Sequence, residues 1–175
     1  MNFLKNNYIF SLVGFFILFY PPSPSFAKSA IIHSGENWVG SVVNSKNNRI
    51  CFVHGKPKKS SGKYSRRGPT YLQVTFRPKE KIRDEVSVTA GYPYKKDTEV
   101  TVEIDGQKKV LFTSEDSAWS YSARDDIALV KEMRGGRELV IKGISKLGTL
   151  TTDRYSLIGF TAAYNAVREA CKSRK

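Results

Sequence analysis

Few residues of this chain have the types and spacing that chemistry at a site requires. The only histidines are His33 and His54, and the only cysteines are Cys51 and Cys171. Cys51 and His54 stand at the Cys-x-x-His spacing of a zinc ligand pair, but a structural zinc site needs four ligands. No second pair follows before Cys171. We therefore predict no metal and no cofactor.

The polar residues do not form a catalytic group either. Asp84 and Glu85 are adjacent on a predicted strand, so their side chains point to opposite faces of the sheet. Gly62-Lys63 lacks the earlier glycine and the following Ser or Thr of a phosphate-binding loop. The Gly-x-Ser-x-Gly elbow of a serine hydrolase is also missing from the sequence. The sequence predicts that the protein is not an enzyme.

A basic stretch, GKPKKSSGKYSRRGP at residues 55–69, is the main candidate for a functional site. It contains no acidic residue, and its cations are Lys56, Lys58, Lys59, Lys63, Arg66 and Arg67. Interspersed Gly, Ser and Pro predict an exposed, mobile loop outside the sheet.

Two interpretations of this basic loop stay open. Runs of charge usually face water, so the loop can be solvated and nothing more. Closely spaced Lys and Arg are also typical of a contact with an anionic surface, whether glycan, lipopolysaccharide or lipid headgroup. Nucleic acid is not expected, because Tyr64 is the only aromatic residue of the stretch and the chain carries an export signal.

The export signal is at the N-terminus. Lys5 precedes an uncharged, mostly apolar run from Tyr8 to Tyr20, which is shorter than the about 20 residues of a membrane helix. Ser25-Phe26-Ala27 then supplies small residues for a signal peptidase. We predict a signal peptide at residues 1–27, cleavage between Ala27 and Lys28, and no transmembrane helix in the mature chain. The expected location is the periplasm or the outer cell surface, and the alternative is an uncleaved membrane anchor.

Export bears on the two cysteines. An even number of cysteines in an exported chain suggests a disulfide, and Cys51 and Cys171 allow only one intrachain pairing. The alternative is two unpaired or intermolecular thiols.

The elements that must position these residues are short strands, followed by helices near the end. Segments 37–43 and 49–54 flank a polar turn and predict a hairpin. Another hairpin surrounds Asp105-Gly106, where a two-residue turn would place Lys109 opposite Val102. We expect instead one further turn residue, with Val110 opposite Val102, because that register keeps one face apolar.

Two helices are predicted after the strands. One begins at Asp125-Asp126, with Ile127, Val130 and Met133 on one face. The C-terminal helix has an apolar stripe at spacings of three and four, formed by Leu157, Phe160, Tyr164, Val167 and Cys171.

The predicted fold is mainly β with helices. We expect an antiparallel sandwich or partly closed barrel, with one short helix and the C-terminal amphipathic helix packed on the sheet. Residues 28–35 should form a flexible N-terminal segment, and residues 36–173 a single domain.

Six segments resemble the invasion-associated locus B family of exported bacterial proteins. They are CFVHGKPKK (51–59), EVSVTAGYPY (85–94), EVTVEIDG (99–106), LFTSEDSAW (111–119), LVKEMRGG (129–136) and DRYSLIGFTAAYNAVREAC (153–171). The resemblance implies one periplasmic or surface-associated β-rich domain without known enzymatic activity, and pairing of the terminal cysteine with Cys51.

The function expected from these observations is that of an exported, non-enzymatic factor in host-cell invasion or cell-surface interaction. Its basic loop is the candidate contact with an anionic surface. The alternative is a periplasmic structural or envelope-housekeeping protein with only an indirect role in invasion.

Overall fold

The structure, a computed structural model, describes residues 28–45 and 48–172. The predicted signal peptide, including Ala27 at its cleavage site, lies outside the described residues. The strands are β1 (Lys28–Ser34), β2 (Trp38–Ser45), β3 (Asn48–Gly55), β4 (Lys59–Gly62), β5 (Tyr71–Arg77), β6 (Ile82–Thr89), β7 (Val100–Ile104), β8 (Gln107–Ser114), β9 (Ser117–Trp119), β10 (Glu138–Ile144) and β11 (Leu150–Ser156). The helices are α1 (Ala123–Gly135) and α2 (Phe160–Cys171).

All the described strands belong to one open sheet. Their order is β1-β2-β3-β5-β6-β9-β8-β7-β10-β11-β4, and neighbouring strands pair in antiparallel fashion. β8 joins the two halves, since Gln107 to Leu111 pair with β7 whereas Phe112 to Ser114 pair with β9. The predicted β-rich fold with two helices is confirmed, and the sheet is not closed.

Buried side chains from both halves of the sheet form one hydrophobic core. Val53 and Val74 belong to it from one half, and Val102 and Leu139 from the other. The apolar side chains that alternate along β5, those of Leu72, Val74 and Phe76, are buried. One core shared by both halves accounts for a single packed domain in the part of the chain that is described.

Helix α2 packs on the first half of the sheet, as its sequence predicts. The whole predicted stripe is buried, although Leu157 precedes the first residue of the helix; its members are Leu157, Phe160, Tyr164, Val167 and Cys171. A glycine in β2 permits this close approach, because a Cβ at Gly40 would lie 2.7 Å from Cγ2 of Val167. The edge of the Trp38 ring meets Phe160, with centroids 4.8 Å apart.

Helix α1 also forms where the sequence predicts it. The Ser122 hydroxyl caps it by accepting from the Asp125 amide at 3.3 Å. Leu129, Val130 and Met133 are buried, but Ile127 is 55% exposed. The buried face is therefore rotated toward Leu129 relative to the prediction.

The hairpin around Asp105-Gly106 differs from the expected register. Val102 pairs with Lys109, so the turn has two residues. Asp105 and Gly106 have φ values of 45° and 88°, and positive φ at both positions is what a two-residue type I′ turn requires. Lys109 can lie opposite Val102 because its ammonium group forms an ion pair with Glu132 at 2.8 Å, while the methylene groups of its side chain cover apolar surface.

The N-terminal segment also differs from its prediction. Residues 28–34 form β1, with Ser29 opposite Val43 and Ser34 opposite Val39. A flexible segment at 28–35 was therefore the wrong expectation. The segment adds a strand because β2 offers it a free edge of backbone donors and acceptors.

Candidate anion-contact loop

The basic loop does not lie wholly outside the sheet. Lys59 to Gly62 form the short edge strand β4, with Lys59 opposite Arg154 of β11. The Lys58 amide donates to the Arg154 carbonyl oxygen at 2.7 Å and continues the ladder. The prediction of a loop apart from the sheet is wrong for these residues, because edge pairing uses backbone groups and small polar side chains do not oppose it.

Five of the six predicted contact cations are exposed. They are Lys56, Lys58, Lys59, Lys63 and Arg66. Lys58 forms an ion pair with Glu36 at 2.6 Å, and such an exposed pair contributes little to stability. Within the described residues, no ion pair involves the other four. Four unpaired cations are therefore available to a ligand.

Arg67, the sixth cation, is buried. Its side chain is 7% exposed, and that of Asp153 on β11 is 3% exposed. Nη1 and Nη2 donate to the two carboxylate oxygens of Asp153 at 2.7 and 2.6 Å. Nε donates to the Ala90 carbonyl oxygen at 2.7 Å. A guanidinium group with these partners cannot contact a surface, so we remove Arg67 from the candidate contact residues.

Aromatic rings flank the Arg67–Asp153 pair. The guanidinium carbon lies 5.5 Å from the centroid of the Tyr64 ring and 5.0 Å from that of Tyr92, within cation–π range. Burial by itself would lower the pKa of Arg67. The hydrogen bonds and negative charge of Asp153 outweigh burial, so the pKa is raised and the guanidinium stays charged. Burial also raises the pKa of Tyr92.

This pair, the Arg67–Asp153 clamp, fixes the C-terminal end of the basic loop. Next to it, the Gly68 amide donates to the Gly91 carbonyl oxygen at 2.8 Å. Gly91 has a φ of +73°, and a Cβ there would lie 2.4 Å from the Gly68 carbonyl oxygen, so only glycine fits. The exposed cations are thus presented by a segment held at β4 and at the clamp.

Sequence reasoning missed the clamp, although β11 carries a signal for it. Thr151, Asp153 and Tyr155 alternate on the buried face of this strand. A carboxylate on a buried face requires a charged or hydrogen-bonding partner. The partner itself could not be identified from pattern, since Arg67 is 86 residues away along the chain.

The predicted disulfide between Cys51 and Cys171 is confirmed. It joins β3 to the last residue of α2, with Cα atoms 5.9 Å apart, and both cysteines are buried. Cys51 is therefore no zinc ligand beside His54. Burial, with the nearby Lys56, lowers the pKa of His54. In the described part of the chain, no three His, Cys, Asp or Glu side chains are grouped as metal ligands.

A groove of about 1030 Å³, which sequence reasoning did not predict, lies beside the disulfide. Its lining includes the cations Lys81, Arg83, Arg168 and Lys172. In the groove, the Tyr164 hydroxyl donates to Asp84 at 2.7 Å, and burial together with this contact raises the pKa of Tyr164 to about 12. Glu169 lies 2.7 Å from Lys172 and 4.0 Å from Arg168, so this carboxylate already offsets part of the positive charge.

Fold and site together define a disulfide-linked, antiparallel β domain that presents a basic loop between two anchors. The chain belongs to the invasion associated locus B (IalB) protein family, whose model matches residues 38–168. No curated protein and no solved structure matches the chain. None of the helices described is long and apolar enough to cross a membrane.

Proposed function

We propose that the protein is exported and acts at the outer cell surface by binding rather than by catalysis. Its partner is an anionic surface of a host or bacterial cell. The observation that carries this proposal is the exposure of five cations on an anchored loop, four of them without an ion-pair partner in the described structure. The net charge, +13 for the full sequence and +12 once Lys5 is removed with the signal peptide, favours approach to any such surface.

Three observations support export. The N-terminal sequence has the pattern of a signal peptide, and the family is described as invasion associated. The buried disulfide suits an oxidising compartment outside the cytoplasm. Together they support an exported location for the basic loop, where glycans and lipid headgroups, rather than nucleic acids, would be the available anions.

Retention on immobilised heparin tests the role of the loop. The loop variant replaces four cations by serine and spares Arg67; the substituted residues are Lys56, Lys59, Lys63 and Arg66. A control variant removes the same number of exposed charges elsewhere, at Lys79, Lys108, Arg124 and Lys131. We expect the loop variant to elute at markedly lower salt than the wild type, and the control to elute close to the wild type.

Equal shifts of the two variants would mean that only net charge matters, which would refute a specific contact through the loop. Wild-type elution of the loop variant would refute it as well.

A further inference from the structure

The turn between β10 and β11 exposes leucines where polar residues are usual. Leu147 is 92% exposed and Leu150 is 60% exposed. Turns generally carry polar residues together with Gly, Asn or Asp, because the tip of a hairpin cannot be buried in its own domain. Departures from such local rules concentrate at functional sites. The protruding leucine at the tip is therefore a candidate for a contact outside the fold.

The turn holds Leu147 outward by its own hydrogen bonds. The Gly148 amide donates to the Ser145 carbonyl oxygen at 2.8 Å, and the Ser145 amide donates to that of Thr149 at 2.9 Å. The Thr149 amide also donates to the Ser145 hydroxyl at 3.1 Å. Gly148 adopts a φ of +81° without strain. The exposed leucine thus stands on an ordered turn.

This turn is continuous with the basic loop. Gly62 of β4 pairs with Thr151, and the Thr149 hydroxyl donates to the Lys63 carbonyl oxygen at 3.4 Å. Tyr64, which is 37% exposed, follows directly. The leucines of the turn therefore lie beside the middle of the basic loop, at residues 62–64.

A second basic segment flanks the turn on its other side. The Lys95 amide donates to the Ile144 carbonyl oxygen at 2.9 Å, and the Lys146 amide donates to that of Pro93 at 2.8 Å. Segments 62–66, 93–97 and 144–150 contain a single acid, Asp97. Their cations, all exposed, are Lys63, Arg66, Lys95, Lys96 and Lys146. The segments that flank the apolar tip therefore carry five exposed cations and one acid.

We propose that the anionic surface is a lipid bilayer and that the β10–β11 turn inserts Leu147 into it, with the surrounding cations at the headgroups. This inference rests on the proposed function and narrows its partner. An exposed apolar tip between two cationic segments fits the interface of an anionic membrane, where apolar burial and attraction to headgroups act together. A soluble glycan chain offers no apolar interior to receive the leucine.

Cosedimentation with vesicles of equal parts phosphatidylglycerol and phosphatidylcholine tests the insertion. We expect Leu147→Ser to reduce partitioning by about tenfold, the loss for one buried leucine. The matched control is Ile158→Ser, which changes a residue 72% exposed near the other end of β11 and should partition like the wild type. Equal partitioning of Leu147→Ser and wild type, or an equal loss in both variants, would overturn the proposal.

A second variant reports depth directly. The fluorescence that Leu147→Trp adds to that of Trp38 and Trp119, obtained by subtracting the wild-type emission, should shift to the blue on these vesicles and be quenched by acyl-chain brominated lipid. Neither change should occur on pure phosphatidylcholine. Binding without quenching would mean that the tip stays in water, and would overturn insertion.

The heparin experiment separates this proposal from the one on which it rests. Leu147→Ser should keep the wild-type retention on heparin, because its cations are intact, whereas the loop variant loses retention on heparin and on vesicles. If the loop variant keeps heparin retention, the proposed function fails. If the loop variant loses heparin retention but Leu147→Ser partitions onto vesicles like the wild type, the insertion alone fails.

Discussion

Replacing Asp153 by alanine should destabilise the domain severely, because it leaves Arg67 buried without its counter-charge. Both side chains are more than nine-tenths buried, and both carboxylate oxygens accept from the guanidinium group. After the substitution, only the Ala90 carbonyl oxygen and the two tyrosine rings remain as partners. None of them carries the negative charge that compensates desolvation of the guanidinium.

The magnitude follows from this burial. Removing one partner of a buried ion pair costs about 3–5 kcal/mol, whereas replacing both by apolar residues is often nearly neutral. A domain has a total stability of about 5–15 kcal/mol, so the single substitution removes a large part of it. Arg66→Ala, next to the clamp but exposed, should change the free energy of unfolding by less than about 0.5 kcal/mol.

Urea denaturation of the oxidised protein, followed by tryptophan fluorescence, measures these differences. The set comprises Asp153→Ala, the double variant Arg67→Met with Asp153→Leu, and the Arg66→Ala control. We expect the double variant to be clearly more stable than Asp153→Ala. A loss below about 1 kcal/mol for Asp153→Ala, or an equal loss in the double variant, would refute an uncompensated buried charge as the cause.

Three further predictions concern other buried groups. Replacing Cys51 and Cys171 by serine should lower the free energy of unfolding by about 5 kcal/mol for the enclosed loop, and an unchanged urea midpoint would contradict this. Since the folded-state pKa of His54 is lowered, the unfolded chain binds its proton more tightly, and the wild type should lose stability as the pH falls below about 6.5. His54→Gln should lose less stability over this pH range. Parallel curves of unfolding free energy against pH for the two proteins would contradict the assignment of this loss to His54. Asp126 accepts from the Val86 amide at 2.9 Å, so Asp126→Ala should cost about 1–3 kcal/mol at neutral pH, while Asp126→Asn keeps the acceptor. Burial raises the pKa of Asp126, so the wild type should gain stability relative to Asp126→Asn as the pH falls through that raised value. A pH-independent difference in the free energy of unfolding between the two proteins would contradict this.

The strands and helices were predictable because their signals are local. Alternation along β5 and the stripe of α2 each place apolar residues on one face, and the structure buries both sets. The position of the hairpin turn at Asp105-Gly106 was equally local. Its register was mispredicted because an apolar face was given more weight than a lysine stem that can cover apolar surface.

The organisation of the candidate site was less predictable because it depends on contacts between distant segments. The charges of the basic loop are evident in the sequence, but which of them is buried depends on Asp153. The formation of β4 depends on the free edge of β11, which is known only once the strand order is known. The exposure of Leu147 is likewise a property of the folded hairpin, because in the sequence it is one apolar residue among many.

Protease accessibility on intact Gram-negative cells tests the central claim most directly, since an exported surface-binding protein must be reachable from outside. Trypsin cleaves after Lys and Arg. The exposed Lys and Arg residues of the loop should be cleaved more readily than those within the strands of the folded domain. We predict that trypsin added to intact cells cleaves the protein at residues 55–66 while a soluble periplasmic marker survives. Cleavage only after the outer membrane has been permeabilised would contradict the account and favour a periplasmic structural role.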